Sequence, residues 1–329
     1  MEERPRFPDV AAKRGHYESF YVKACEPGGG RGVWIRHTVH KRPGAEPNAS
    51  IWFVFFDRGA EGPRATKVTV PAGELSVPAG EWIQVGDAVI GPRAAEGSVD
   101  TDALSAGWSL SFATEADPCR YLPADWLYEA PVPKTKFVAP VPLARFDGRL
   151  EIADESIELS GWPGMIGHNW GTEHAERWVW LEGTGFADAP DAYFDAGAAR
   201  IKIGSWTTPW VPSGMLRLEG VEHRLGGFGK FRDAEIEDTP DACSFVLPGE
   251  DIVVRGRVSA PRKDFVGWVY ADPKGPEHNT VNCSVADLEL TIERPARPDR
   301  VLTLPGGAAY ECGMRETDHG IPIQPYPDG

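Results

Sequence analysis

The sequence predicts an all-β protein made of two antiparallel β-barrel domains packed side by side. Three observations predict it. Short runs rich in β-branched and aromatic residues recur along the whole chain, bounded by Gly, Pro and Asn. No window shows a sustained 3.6-residue apolar period, and 37 glycines and 30 prolines interrupt any helix that could begin. At 329 residues the chain exceeds the size at which a single core is usual.

The first clear strands are GVWIRHTVH (32–40) and SIWFVFFD (50–57). The GGG at 28–30 reads as a hairpin turn, because no Lys-Ser/Thr follows to complete a phosphate cradle. Between 118 and 145 the composition changes, with prolines at 118, 123, 131, 133, 140 and 142. Proline cannot donate to a ladder, so this stretch reads as an extended crossover whose Tyr121, Trp126, Tyr128 and Phe137 lie on a surface. The expected division is a barrel over 1–118, a linker over 119–145 and a barrel over 146–329. Strand signatures then recur at 177–183, 199–206, 214–220, 250–260, 264–272 and 285–294. A faint echo of GHYESFYVKA…GVWIRHT in GHNWGTEHAERWVWLEG supports a duplicated barrel.

Composition narrows the function classes. A net charge of −15 argues against nucleic acid and against an anionic membrane surface, both of which need clustered Lys and Arg. No apolar run is long enough to span a bilayer, and the N-terminal stretch lacks the apolar segment of a secretory signal. Five scattered cysteines with no CxxC pair fit reduced thiols and a cytoplasmic location. A hydrophobic small molecule remains the expected partner; oligomeric state is left open.

Alternation sorts the side chains of the aromatic strands. In 33–39, Trp34, Arg36 and Thr38 share a face opposite Val33, Ile35, His37 and Val39. In 177–182, Trp178, Trp180 and Glu182 share a face opposite Val179 and Leu181. Large aromatics mixed with single charges suit a ligand cavity, although they could equally plug the end of a barrel. The densest stretch is GMIGHNWGTEHAERWVWLEG (164–183). Its His168, Glu173 and His174 could serve acid–base chemistry, or the turn could be shaped by Gly167 and Gly171 at positive φ and capped by His168 and Asn169. His168 and His174 lie six apart with neither HExxH nor facial-triad spacing, so no metal and no other cofactor is expected. Asp195, interrupting the apolar run AYFDAGA, is a further candidate acid. Tyr17 and Trp210 are candidate ligand contacts, Trp210 as a pocket lip between prolines. His278 and Asn279 read as part of a solvated loop.

The stretch 164–183, together with YLPADWLYEAPVPKTKF and the later YADP…NTVNCSVADLEL, resembles the hydroxyneurosporene synthase (carotenoid 1,2-hydratase) and AttH-like group. That resemblance implies a lipocalin-like, calycin-type double barrel of two eight- to ten-stranded units around an aromatic ligand pocket. It also implies a site region at His168, Asn169, Trp170, Glu173 and His174, with Trp178 and Trp180 on the next strand. Relatives of this group include cofactor-free enzymes that hydrate or cyclise apolar polyenes. The expected function is a cofactor-independent lyase or isomerase of hydratase or cyclase type, acting on an isoprenoid- or polyketide-like molecule. The alternative is a non-catalytic lipid- or terpenoid-binding protein of the same fold.

Overall fold

A computed structural model describes residues 4–327 apart from Glu115 and Phe228. Its architecture is all-β, with two large antiparallel sheets and a two-stranded ribbon. The first sheet holds 12 strands, and its centre runs Asn48–Asp57, Arg31–Lys41, His16–Cys25, Glu155–Gly171, Thr135–Ile152. The second holds 10, centred on Ala189–Arg200, Arg177–Phe186, Arg300–Met314 and Glu277–Glu293. The second sheet nearly closes into a barrel, because Leu225 at one edge bridges Gly249 beside the other. The first sheet is larger than the eight- to ten-stranded unit expected.

The boundary between the two units falls later than the composition suggested. Thr135–Ile152 is a long strand within the first sheet, paired with Glu155–Gly171, which itself pairs with His16–Cys25. The chain therefore crosses between sheets over 172–176, not over 119–145. Pro140 and Pro142 are accommodated because the register slips between Val138 and Val141 and again between Val141 and Ala144. Bulges at these points remove the need for the missing proline donors. Only the first part of the proline-rich stretch is irregular, broken by the short turn Asp125–Tyr128.

The strands that carry the echoing His16 and His168 are antiparallel neighbours in one sheet, with Phe20 opposite His168. Gly167 and Gly171 are extended strand residues and do not adopt positive φ. They are small for another reason. A Cβ on Gly167 would lie 2.1 Å from the Tyr21 ring, and one on Gly171 would lie 2.2 Å from the Lys134 carbonyl oxygen. The run at 199–206 is likewise not one strand: it ends at Arg200 and is followed by the ribbon Lys202–Ile203 and Trp206–Thr207. The GGG turn forms as expected, with all three glycines at positive φ.

Both faces of the central strands are covered. Val33, Ile35 and Val39 join the core enclosed by the first sheet. Trp34 and Trp52, on the opposite face, pack with Trp268 and Tyr270 of the second sheet. Val179 and Leu181 similarly face the second core, leaving Trp178, Trp180 and Glu182 turned toward the first sheet. A buried ion pair joins the two sheets: Lys23 Nζ lies 2.6 Å from the Glu182 carboxylate and donates to the Gly307 carbonyl at 2.6 Å. No helix among the described residues is long and apolar enough to cross a membrane.

Candidate functional site

The aromatic faces that alternation singled out enclose a cavity of about 220 Å³ between the sheets. Tyr21, Trp34 and Arg36 form the wall from the first sheet, and Trp178, Trp180, Tyr270 and Glu311 the wall from the second. Phe137 and Asn169 lie along it, and Lys134, Glu173 and His174 contribute at its rim.

Two charges stand against these aromatics. Glu311 accepts hydrogen bonds from Trp178 Nε1 at 2.9 Å, Tyr270 Oη at 3.0 Å and Asn282 Nδ2 at 3.3 Å. Three donors converge on this one carboxylate. Arg36 is only 5% exposed. It makes no ion pair among the described residues; its guanidinium lies 4.3 Å from the Tyr270 ring centre and 5.8 Å from that of Trp34. Its Nε is buried without a hydrogen-bond partner. The cavity is thus apolar over most of its surface, with one cation free to meet an acceptor on a ligand.

Asp195 stands directly behind Trp180. Trp180 Nε1 donates to its Oδ1 at 2.9 Å and Tyr121 donates to its Oδ2. Burial raises the Asp195 carboxyl to about 7, against the lowering effect of these two donors and with a further push from the Glu182 charge. A carboxyl of that kind is about half protonated at neutral pH, so it can serve as a general acid.

The structure gathers Trp34, Arg36, Asn169, Glu173, His174, Trp178 and Trp180 around the cavity. Tyr17 adjoins it, its ring stacked 4.0 Å from that of His174. Glu173 sits at the rim, half-exposed and paired with Lys134. His168 is elsewhere. Its ring is fully buried on the opposite face of its strand, stacked on Phe20 and bonded through Nε2 to Glu18 Oε1 at 2.8 Å. Trp170 points the same way as His168 and packs under Arg6 and against Tyr128. Trp210 packs half-buried against the second core and does not line the cavity. Asn169 faces the cavity, so strand alternation obliges His168 and Trp170 to face away from it.

Several residues escaped the sequence reading. Glu311 and Tyr270 complete the cavity wall. Glu311 is an acid inside the apolar run AAYECGM, the same signal that drew attention to Asp195. His278 is not in a solvated loop: it is fully buried near the start of Glu277–Glu293, and burial, aided by the charge of His174, lowers it to about 4. With His174 and Asp272 it forms a group whose ligand-capable atoms all lie within 4.8 Å of one another. His174 is tied to Asp272 twice, through its backbone N–H at 2.6 Å and its Nδ1 at 2.7 Å.

No protein-family model matches the chain. Two uncharacterized proteins of Mycobacterium tuberculosis, MT0513 of strain CDC 1551 / Oshkosh and Rv0493c of strain H37Rv, are each 26% identical to it over 336 residues. The match spans 95% of this chain and 90% of theirs. Among solved structures, AttH from Nitrosomonas europaea aligns with a TM-score of 0.54 at 14% identity, over 95% of this chain and 97% of its own. CghA in complex with Sch210972 aligns at 0.58 and 11% identity, over 93% and 89%. Kievitone hydratase from Nectria haematococca aligns at 0.55 and 9% identity, over 92% and 89%. At these identities what is shared is the fold. Fold and cavity together define the class: an all-β chain with the two-sheet architecture of AttH and kievitone hydratase, carrying an aromatic cavity where its sheets meet.

Proposed function

We propose that this chain is a cofactor-independent lyase or isomerase, of hydratase or cyclase type, acting in the inter-sheet cavity. Its substrate is an isoprenoid- or polyketide-like molecule with an apolar body and an oxygenated end. One observation carries the reading. An aromatic cavity is backed by a carboxyl, Asp195, that hydrogen-bonds to the wall residue Trp180 and is held near 7 by its surroundings. Trp34, Trp178 and Trp180 offer π faces to an alkene and to positive charge developing on it. Arg36 would anchor the oxygenated end of the molecule. Asp195 would supply the proton, with Trp180 and Tyr121 as the two groups in contact with it. Glu311 would stabilise the cation or take a proton from attacking water. Water then completes hydration, or an internal double bond completes cyclisation. Two proteins of the same fold support a small-molecule reading by what their names state: one is a kievitone hydratase, the other was solved with Sch210972.

The alternative is a binding protein, and one observation favours it: Asp195 is 3% exposed and stands behind the wall, not in it. Incubation with a panel of prenylated phenols and polyene acyl compounds in deuterium oxide, followed by mass spectrometry, separates the two. An enzyme yields products gaining water, or isomers, with deuterium on carbon, and Asp195→Asn lowers turnover about 100-fold or more while tryptophan-quenching affinity is kept. Ligands that quench and are recovered unchanged from the wild type would establish the binding protein instead.

A further inference from the structure

We propose that His174, Asp272 and His278 form a binding site for one divalent first-row transition-metal ion, placed where the chain crosses between the two sheets. The three residues come from separate parts of the fold. His174 lies in the crossing segment, Asp272 follows the strand Val266–Ala271, and His278 opens the strand Glu277–Glu293. Tyr270 opposite His278 sets the hairpin register, and Asp272 N–H donates to the Pro276 carbonyl at 3.3 Å, which fixes the turn between the two ligands.

Two of the three residues are buried and the third is partly so, and several of their polar atoms are unsatisfied. Asp272 is 2% exposed and His278 not at all. Beyond the His174–Asp272 contact, His174 Nε2, Asp272 Oδ2 and both ring nitrogens of His278 are buried without a hydrogen-bond partner. Buried polar atoms are almost always paired, so orphans on all three residues of one close group point to an absent partner. A cation would take one lone pair from each imidazole and one from the carboxylate, leaving the second His278 nitrogen as an N–H. Two imidazoles and one carboxylate suit zinc, iron(II), cobalt(II) or manganese(II), and leave coordination positions for water or another ligand. The surroundings hold the donors in place, since Tyr17 stacks on the His174 ring at 4.0 Å and Trp178 at 5.4 Å. Arg315, whose charge is felt at His278, is itself paired with Glu176 at 3.1 Å.

An ion here would clip the crossing segment to the second sheet, beside the cavity wall that His174, Trp178 and Tyr270 share. The proposal does not depend on the catalytic reading, because its test is binding.

Untagged protein, stripped with a chelator, is titrated with Zn²⁺ by calorimetry and with Co²⁺ by visible absorption. About one equivalent is expected to bind, with ligand-field bands for Co²⁺ and a higher melting temperature at saturating Zn²⁺. Asp272→Asn, nearly isosteric, and His174→Ala, on an irregular segment away from the sheet ladders, should each weaken binding about 100-fold or more, since loss of supporting partners alone costs 10- to 100-fold. Circular dichroism shows whether each variant is folded. A folded wild type that takes up no stoichiometric metal would overturn the proposal, as would unchanged affinity in either folded variant; the orphaned atoms would then be served by water.

Discussion

Two buried carboxylates in this protein experience the same loss of water and end with opposite acidities. Glu18, inside the first sheet, is fully buried, yet it is lowered to about 2: burial pushes it up, and hydrogen bonds from His16 and His168 more than reverse the push. Asp195, at the interface of the sheets, is raised to about 7 because burial outweighs the lowering by its uncharged donors, Tyr121 and Trp180, and Glu182 across the ladder adds a negative charge. The difference teaches where chemistry can be placed. Imidazole partners make Glu18 a permanent anion locked into a network with the Arg6 backbone N–H at 2.7 Å and His16 at 2.9 Å. Neutral partners leave Asp195 able to gain and lose a proton at physiological pH.

This contrast can be broken or sharpened by measurement. The largest effect belongs to Asp195. Its carboxyl is raised from 3.8 to about 7 on folding, so its contribution to stability is full below 3.8 and is lost as pH rises through 7. The loss approaches about 4 kcal/mol. Chemical denaturation from pH 4 to 8 should show wild type falling relative to Asp195→Asn by that order; parallel profiles would mean that Asp195 ionises normally.

Glu18 should show the reverse slope in acid. Its carboxyl is lowered from 4.5 to about 2 on folding, so its stabilisation is present above 4.5 and disappears as pH falls through 2, a loss of about 3 kcal/mol. In Glu18→Gln this acid-dependent portion should vanish, and if the profile is unchanged the imidazole pairing does not govern it. Tyr270→Phe tests the cavity wall. Removing a hydroxyl that donates to the Glu311 carboxylate should cost about 2 kcal/mol by urea denaturation. The smallest change is expected at the rim, where Glu173→Gln breaks an exposed pair with Lys134 and should alter stability by less than about 1 kcal/mol. A larger loss there would mean that the rim holds the crossing segment in place.

Much of the cavity was legible because alternation is a local rule. Trp34 with Arg36, and Trp178 with Trp180, share faces whatever lies opposite, and those faces do meet across the cavity. The same rule would have removed His168 from the site had 167–171 been read as a strand; the glycines made it look like a turn. Their small size answers a close approach by Tyr21 and by the Lys134 carbonyl, which no local pattern reveals. Asp272 was hidden by distance, lying 98 residues from the histidine it binds.

By itself the sequence determined the β class, the two-faced aromatic strands and the presence of an acid among apolar residues, because these follow from side-chain type and a two-residue period. Only the tertiary structure decided which sheet each strand joins, and therefore that the crossing lies at 172–176. It alone decided which buried acid is paired with imidazole and which with neutral donors. Strand pairing and burial join residues far apart in the chain, and the acidity of a carboxyl depends on the neighbours so assembled.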